Sequence, residues 1–232
     1  MSGRDVGVII VAGGSGTRVG GQELKQFRWI AGKPMLLHSL QTFMARPDVI
    51  SVVCVLRPAL AGDPPPWIFQ CDVDRLMISI GGKTRQQSVA NGLEDLVDEA
   101  KIVLIHDAAR PGVTDSMIGR VIDAVRHDGA AIAALPVTDT IKSVDAAGRI
   151  TQTVDRSRLW RAQTPQGFRR EIIVGAHNEA APGKIDATDD AALCERLGIP
   201  VTVVQGDERA MKITEEADFA RAEALFGIPD AR

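Results

Sequence analysis

VIIVAGGSGTRVGGQELKQF, residues 8–27, decides how the rest of the chain is read. Val8, Ile9, Ile10 and Val11 are apolar without alternation, the pattern of a strand covered on both faces in a mostly parallel sheet. The strand then runs into small residues. Gly13, Gly14 and Gly16 lack a Cβ, so the backbone there can take unusual dihedrals and turn several N–H groups toward one anion. Arg18 and Lys25 add full positive charge, and strand ends are where α/β sheets bind ligands. The stretch reads as a cradle for a triphosphate; a tight strand-to-helix turn with solvated basic residues is the plainer alternative. Two better-known glycine motifs are excluded. A dinucleotide fingerprint starting at Gly14 needs glycine where Val19 stands, and a P-loop needs lysine where Gln22 follows Gly21.

Working outward, continuous apolar runs recur at 50–56, 102–106, 130–135 and 201–204. Between them lie helical patterns at 34–45, 84–96, 115–127 and 215–226, the last with Thr214 placed to cap its start. Strand alternating with helix predicts an α/β fold, a mostly parallel twisted sheet flanked by helices. One segment breaks the rhythm: TDTIKSVDAAGRITQT, 138–153, has two β-prone runs around Asp-Ala-Ala-Gly and predicts a protruding β-hairpin arm. With no linker or repeat, the expectation is one domain over 1–232 with an arm at 137–156.

A net charge of −3, from 27 basic and 30 acidic residues, supplies no global field for nucleic acid or an anionic membrane, so any anion site is local. The first apolar run is too short to span a bilayer and meets glycines instead of a cleavage site, which predicts neither anchor nor leader. Cys54, Cys71 and Cys194 match neither a disulfide framework nor a metal spacing and read as reduced thiols of a cytoplasmic protein.

AGGSGTR (12–18), LKQF (24–27) and GKPMLLHSL (32–40) together resemble the nucleotidyltransferase loop of the 2-C-methyl-D-erythritol 4-phosphate cytidylyltransferase family. Further segments agree in order: GGKTRQQSV (81–89), HDAARPGV (106–113), PVTDTIK (136–142), TVDRSRLWRAQTPQGF (153–168), TDDAALCERLG (188–198) and GDERAMKIT (206–214). Two departures stand out: Leu24 replaces the usual proline before the Lys-Gln pair, and Val19 replaces a common methionine.

The resemblance implies a Rossmann-like nucleotidyltransferase domain of GT-A type, transferring CMP from CTP to 2-C-methyl-D-erythritol 4-phosphate with release of pyrophosphate. It implies that Arg18, Lys25 and Lys212 are catalytic, and that Ala12, Gly13, Gly14, Gly16, Gly81, Gly82, Ser88, Asp107 and Ala108 bind the nucleotide. Arg110, Thr140, Arg156 and Thr188 would bind the alditol phosphate, with Thr140 and Arg156 reaching across a homodimer formed through the arm. Asp107, at another strand end, suits Mg²⁺, which takes hard oxygen ligands and typically uses one or two carboxylates plus substrate phosphates. His106 reads as structural, and Thr188, Asp189 and Asp190 as a helix start, an N-cap followed by acids that complement the dipole.

The expected nucleophile is the substrate's own phosphate, already largely dianionic at neutral pH because its second pKa is about 6. That accounts for a chain whose four histidines form no triad or metal spacing. Three other readings stay open: a cytidylyltransferase for another alditol phosphate such as ribitol 5-phosphate, a sugar-1-phosphate nucleotidyltransferase using another base, and a non-catalytic nucleotide-binding module.

Overall fold

The computed structural model describes residues 3–14, 24–180 and 187–226. In chain order it forms β1 (Val6–Val11), β2 (Trp29–Ile30), β3 (Lys33–Pro34), α1 (Met35–Met44), β4 (Val49–Leu56), α2 (Pro58–Ala61), β5 (Leu76–Ile80), α3 (Arg85–Glu94) and β6 (Ile102–Asp107). There follow α4 (Asp115–Asp128), β7 (Ala130–Pro136), β8 (Ile141–Val144), β9 (Ile150–Val154), β10 (Trp160–Arg169), α5 (Arg170–Ala180), α6 (Asp190–Arg196), β11 (Thr202–Gln205) and α7 (Ala217–Phe226). Seven strands make the central sheet, in the order β11-β7-β10-β6-β1-β4-β5.

Why β1 is apolar at every position is clear from its two faces. Val8 and Ile10 point into one layer with Leu36, Leu40 and Phe43 of α1 and Met117, Ile118 and Val121 of α4. Ile9 points into the other, with Val89 and Leu93 of α3 and Ile173 of α5. Such a strand cannot tolerate a polar face, and each buried aliphatic side chain contributes about 1.5–3 kcal/mol of transfer free energy. β1 pairs in parallel with β4 and β6, so Val8 lies between Val52 and Leu104. The carboxyl ends of β1 and β6 therefore open on the same edge.

β10 departs from the parallel pattern, running antiparallel between β6 and β7 with a register shift between Ala162 and Gln166. The apolar-run reading passes over it because Gln163, Thr164 and Gln166 are polar yet buried. Their hydrogen bonds make this tolerable: the Gln163 amide donates to Asp207 O at 2.9 Å, and the Thr164 hydroxyl accepts from Asp107 N at 3.1 Å. β5, at the sheet edge, is also missed by that reading; Met77 and Ile80 there are half exposed.

The hairpin of the sequence reading is present as β8 paired with β9, Ile141 opposite Val154. Its turn is held by Asp145, whose Oδ1 accepts from Ala147 N and Arg149 N at 2.9 Å each, and Gly148 takes the positive φ of 78° that a side chain would resist. Val144 and Ile150, partners across the hairpin, are 57% and 65% exposed.

Two capping expectations are corrected. Thr214 does not cap α7 with its own oxygen; Asp218 Oδ2 accepts from Thr214 N, Thr214 Oγ1 and Glu215 N, because a carboxylate one turn into the helix reaches back to these donors. At α6 the cap is Asp189, which accepts from Ala192 N at 3.0 Å, and not Thr188, which is exposed. A third, small core of Ile30, Met35, Ile213 and Phe219 pins the segment before α7 against β2 and α1. No helix among the described residues is long and apolar enough to cross a membrane.

Candidate active site

A cavity of about 520 Å³ opens at the carboxyl ends of β1 and β6. Its walls come from four places: the turn after β1, the loop from β5 into α3, the turn after β6, and the segment before α7, with Lys25 and Gln26 closing the side.

Each wall is held by its own backbone accounting. Ala12 N donates to Val55 O at 2.9 Å, and Ala12 O accepts the Gln26 side-chain amide at 2.8 Å, so the buried Gln26 ties the Lys25 turn to the glycine loop. Lys25 Nζ donates to Ile213 O at 2.7 Å. After β5, Gly81 N donates to Leu56 O at 2.6 Å. At Gly82 a Cβ would sit 2.3 Å from Gln87 Cβ, so only glycine lets the loop fold onto the first turn of α3. Thr84 caps that helix by accepting from Gln87 N. Ser88 Oγ donates to Thr84 O at 2.9 Å and accepts from Gly82 N at 3.1 Å. Its one proton is thereby committed, and the lone pair that remains can only accept from a ligand.

The electrostatic centre is Asp107. Its Oδ1 accepts from Arg85 Nε at 3.1 Å and its Oδ2 from Lys212 Nζ at 2.7 Å. Burial alone would raise this carboxyl, but Arg85 and Lys212, with Arg110 behind them, outweigh burial and hold it well below the usual carboxylate range. Arg85 also donates to Asp190 Oδ2 at 2.7 Å; burial works against its charge, and Asp190 and Asp107 more than reverse that.

His106, fully buried beside Asp107, has Nδ1 3.0 Å from Thr164 Oγ1 and Nε2 3.2 Å from Arg110 O. Burial lowers its pKa to about 4, so it is a neutral spacer. The three cysteines are free; Cys54 and Cys194 are buried, and burial raises the Cys54 thiol far above neutrality.

Of the residues singled out from the sequence, Lys25, Lys212, Ala12, Gly13, Gly14, Gly82, Ser88, Asp107 and Ala108 meet at this cavity, and Gly81 sits directly behind Gly82. Arg18 and Gly16 lie outside the described residues. Arg110 does not line the cavity: it donates to Ala210 O at 2.8 Å and Ala162 O at 3.3 Å, joining β10 to the segment that carries Lys212. Thr140, Arg156 and Thr188 are exposed and do not line it; Arg156 donates to Thr138 O at the base of the arm.

Arg85, Lys83 and Thr84 line the cavity without having been singled out, and so does Thr214, read from the sequence only as a helix cap. For Arg85 a signal existed: it is the first residue of α3, where the helix dipole disfavours a cation, so an arginine there calls for dedicated anionic partners.

Asp107 is the one carboxylate among the described residues lining the cavity, and it is ionised. Among the described residues no group of three or more His, Cys, Asp or Glu is placed to hold a metal. This donor set fits a magnesium ion that arrives with a polyphosphate, one carboxylate joining phosphate and water oxygens, and not an all-protein cage.

The family pattern described as IspD: 2-C-methyl-D-erythritol 4-phosphate cytidylyltransferase matches residues 6–227. A protein of Syntrophus aciditrophicus named 2-C-methyl-D-erythritol 4-phosphate cytidylyltransferase is 43% identical over 227 residues, covering 97% of each chain. The bifunctional enzyme IspD/IspF of Bradyrhizobium diazoefficiens is 45% identical over 230 residues, 94% of this chain; the chain spans about half, 54%, of that relative's length. Among solved structures, the 2-C-methyl-D-erythritol 4-phosphate cytidylyltransferase of Thermus thermophilus superposes with a TM-score of 0.79 at 35% identity, covering 97% of this chain and 100% of that one. The 4-diphosphocytidyl-2C-methyl-D-erythritol synthase of Anaerococcus prevotii superposes with a TM-score of 0.84 at 26% identity, over 97% and 99%.

The buried imidazole sets a pH dependence. Because burial holds the folded-state pKa of His106 at about 4, below the 6.5 of a free imidazole, the folded chain binds fewer protons between those values. This group's contribution to stability is therefore full above about pH 6.5 and falls as pH drops toward 4, by at most about tenfold in the folding constant per pH unit. Urea denaturation at pH 7, 6 and 5 should show that decline, and His106→Asn should flatten it.

Proposed function

The chain belongs to the 2-C-methyl-D-erythritol 4-phosphate cytidylyltransferase family, and on that premise we propose that it transfers CMP from CTP to 2-C-methyl-D-erythritol 4-phosphate, giving 4-diphosphocytidyl-2-C-methyl-D-erythritol and pyrophosphate. The observation that carries this reading is the convergence of Lys25, Lys212, two glycine turns and an ionised Asp107 on one cavity at the strand ends. A ribitol phosphate or another base is not favoured by any feature of the site.

In the reaction an oxygen of the alditol phosphate attacks the α-phosphorus of CTP in line, a new P–O bond forms, and the α–β bond breaks with both electrons leaving on pyrophosphate. The attacking phosphate needs no base. The difficulty is bringing two anions together, and the remedy is fixed positive charge at the reacting centre. Lys25 and Lys212 supply it, with Arg18 from the glycine loop.

The turn after β1, at Gly13 and Gly14, offers backbone N–H groups to the triphosphate, and Ser88 accepts from the amino edge of cytosine. A site that leaves a buried polar group unpaired with the wrong base discriminates strongly. Asp107 would hold Mg²⁺, which when bound neutralises charge on the triphosphate.

Arg110, Thr140, Arg156 and Thr188 serve the alditol phosphate. For Arg156 and Thr140 the support is their position: exposed, near an arm whose apolar side chains are uncovered, and apart from this chain's own cavity. This suits a homodimer in which each arm completes the neighbour's site, in the cytoplasm, where CTP is available.

Purified chain with CTP, Mg²⁺ and 2-C-methyl-D-erythritol 4-phosphate should release pyrophosphate, and much less with ribitol 5-phosphate or with ATP, GTP or UTP. Lys25→Ala should cut turnover at least ~100-fold, the scale of losing one charge-stabilising donor, while circular dichroism stays unchanged. Turnover within a few-fold of the parent would refute the Lys25 assignment. Mixing Lys25→Ala with Arg156→Ala chains tests the shared site. Half the dimers become hybrids with one intact site, so activity should recover to about a quarter of the parent's; no recovery would mean that Arg156 serves its own chain.

A further inference from the structure

Asp107 carries two cations of different standing. Lys212 reaches Oδ2 from a side chain 44% exposed at the cavity, whereas Arg85, 27% exposed, holds Oδ1. Arg85 is also anchored from behind. Its second nitrogen donates at 2.7 Å to Asp190, whose side chain is 1% exposed, and Asp190 Oδ1 lies 3.1 Å from His177 Nε2 on α5. Asp190 N and Ala191 N both donate to Gln166 Oε1, and the Gln166 amide donates to Asp189, fastening the start of α6 to β10. Opposite charges thus alternate from the cavity into the protein: Lys212, Asp107, Arg85, Asp190.

The two ends of this series respond differently to a ligand. Lys212 can leave Asp107 for a phosphate oxygen at little loss, since it exchanges one anion for another at a wet surface. Arg85 cannot follow, because its departure would break a buried ion pair and leave the carboxylate of Asp190 in the interior with only the His177 imidazole beside it.

We propose that Arg85, braced by Asp190, is a positioning residue for cytidylyl transfer. It sets the orientation of Asp107 from which Lys212 is aimed into the cavity, and it keeps that orientation once Lys212 has moved to the ligand. The proposal rests on the transferase reading above. A lysine could not substitute, because the bridge uses two separate nitrogens of one planar group, Nε toward Asp107 and NH1 toward Asp190.

The test is steady-state pyrophosphate release from CTP and 2-C-methyl-D-erythritol 4-phosphate for the parent chain, Arg85→Gln, Arg85→Lys, Asp190→Asn and Asp107→Asn, and for Asp107→Asn combined with Arg85→Gln or with Asp190→Asn. An active parent and a ~10–100-fold fall in kcat for each of the Arg85 and Asp190 variants are expected, the usual scale for groups that orient a functional side chain. KM for CTP should stay within about threefold, and adding either change to Asp107→Asn should lower kcat by less than about threefold more, because the group being positioned is already gone.

Losses that multiply in the double variants, or that appear in KM for CTP, would overturn the proposal and mark Arg85 as a direct nucleotide contact. Restoration by Arg85→Lys would overturn the two-nitrogen bridge. Should Arg85→Gln fail to fold by circular dichroism, Asp190→Asn, which keeps the side-chain shape, decides alone. A parent chain that releases no pyrophosphate would instead contradict the transferase reading and the proposal with it.

Discussion

A carboxylate 8% exposed at the end of an apolar strand would be driven to its neutral form by burial, and the site depends on its not being so. Arg85 and Lys212 keep Asp107 charged, one on each oxygen. In return Asp107 lets several cations gather at one small cavity in a chain whose net charge is negative. Without that anion, Arg85, Arg110 and Lys212 would repel one another across the turn after β6. The backbone follows the same logic: Asp107 N donates to Thr164 Oγ1 and Ala108 N to Val11 O, so β10, β6 and β1 meet where the charges meet.

The cations of the cavity rest on protein acceptors that a polyphosphate can replace. Lys25 lies on Ile213 O and Lys212 on Asp107, and because residues 212 and 213 are adjacent, the two ammonium groups are positioned through the same short segment. That segment is pinned by the burial of Ile213 and by the bond from its N to Ala109 O at 2.8 Å. Charge held in place before the ligand arrives requires little reorganisation when negative charge develops, which is how fixed dipoles and cations lower a barrier. A reaction whose nucleophile is already an anion asks for little else.

Much of this was legible in the sequence for physical reasons. Strands β1, β4, β6 and β7 show as unbroken apolar runs because both faces of the sheet are covered, and the glycine at 82 shows because close backbone approach leaves no alternative. β10 was not legible, since its buried Gln163, Thr164 and Gln166 resemble a loop until their partners from 106–107, 189–191 and 207 are brought together in space. The Arg85–Asp190 pair was hidden likewise: Arg85 at a helix start calls for an anionic partner, but 105 residues separate it from Asp190, which reads as an ordinary acid of another helix start. Arg156 and Thr140 are exposed and do not line the cavity, so their proposed role comes from the resemblance and not from this chain's geometry.

The central claim is that this one cavity receives the triphosphate. A crystal structure of the chain with CTP and magnesium measures it directly. The account predicts the α-phosphate within hydrogen-bonding reach of Lys25 and Lys212, with Arg85 still on Asp107. A nucleotide bound elsewhere, or bound here with Lys212 still on Asp107 and both ammonium groups turned away from the phosphates, would contradict it.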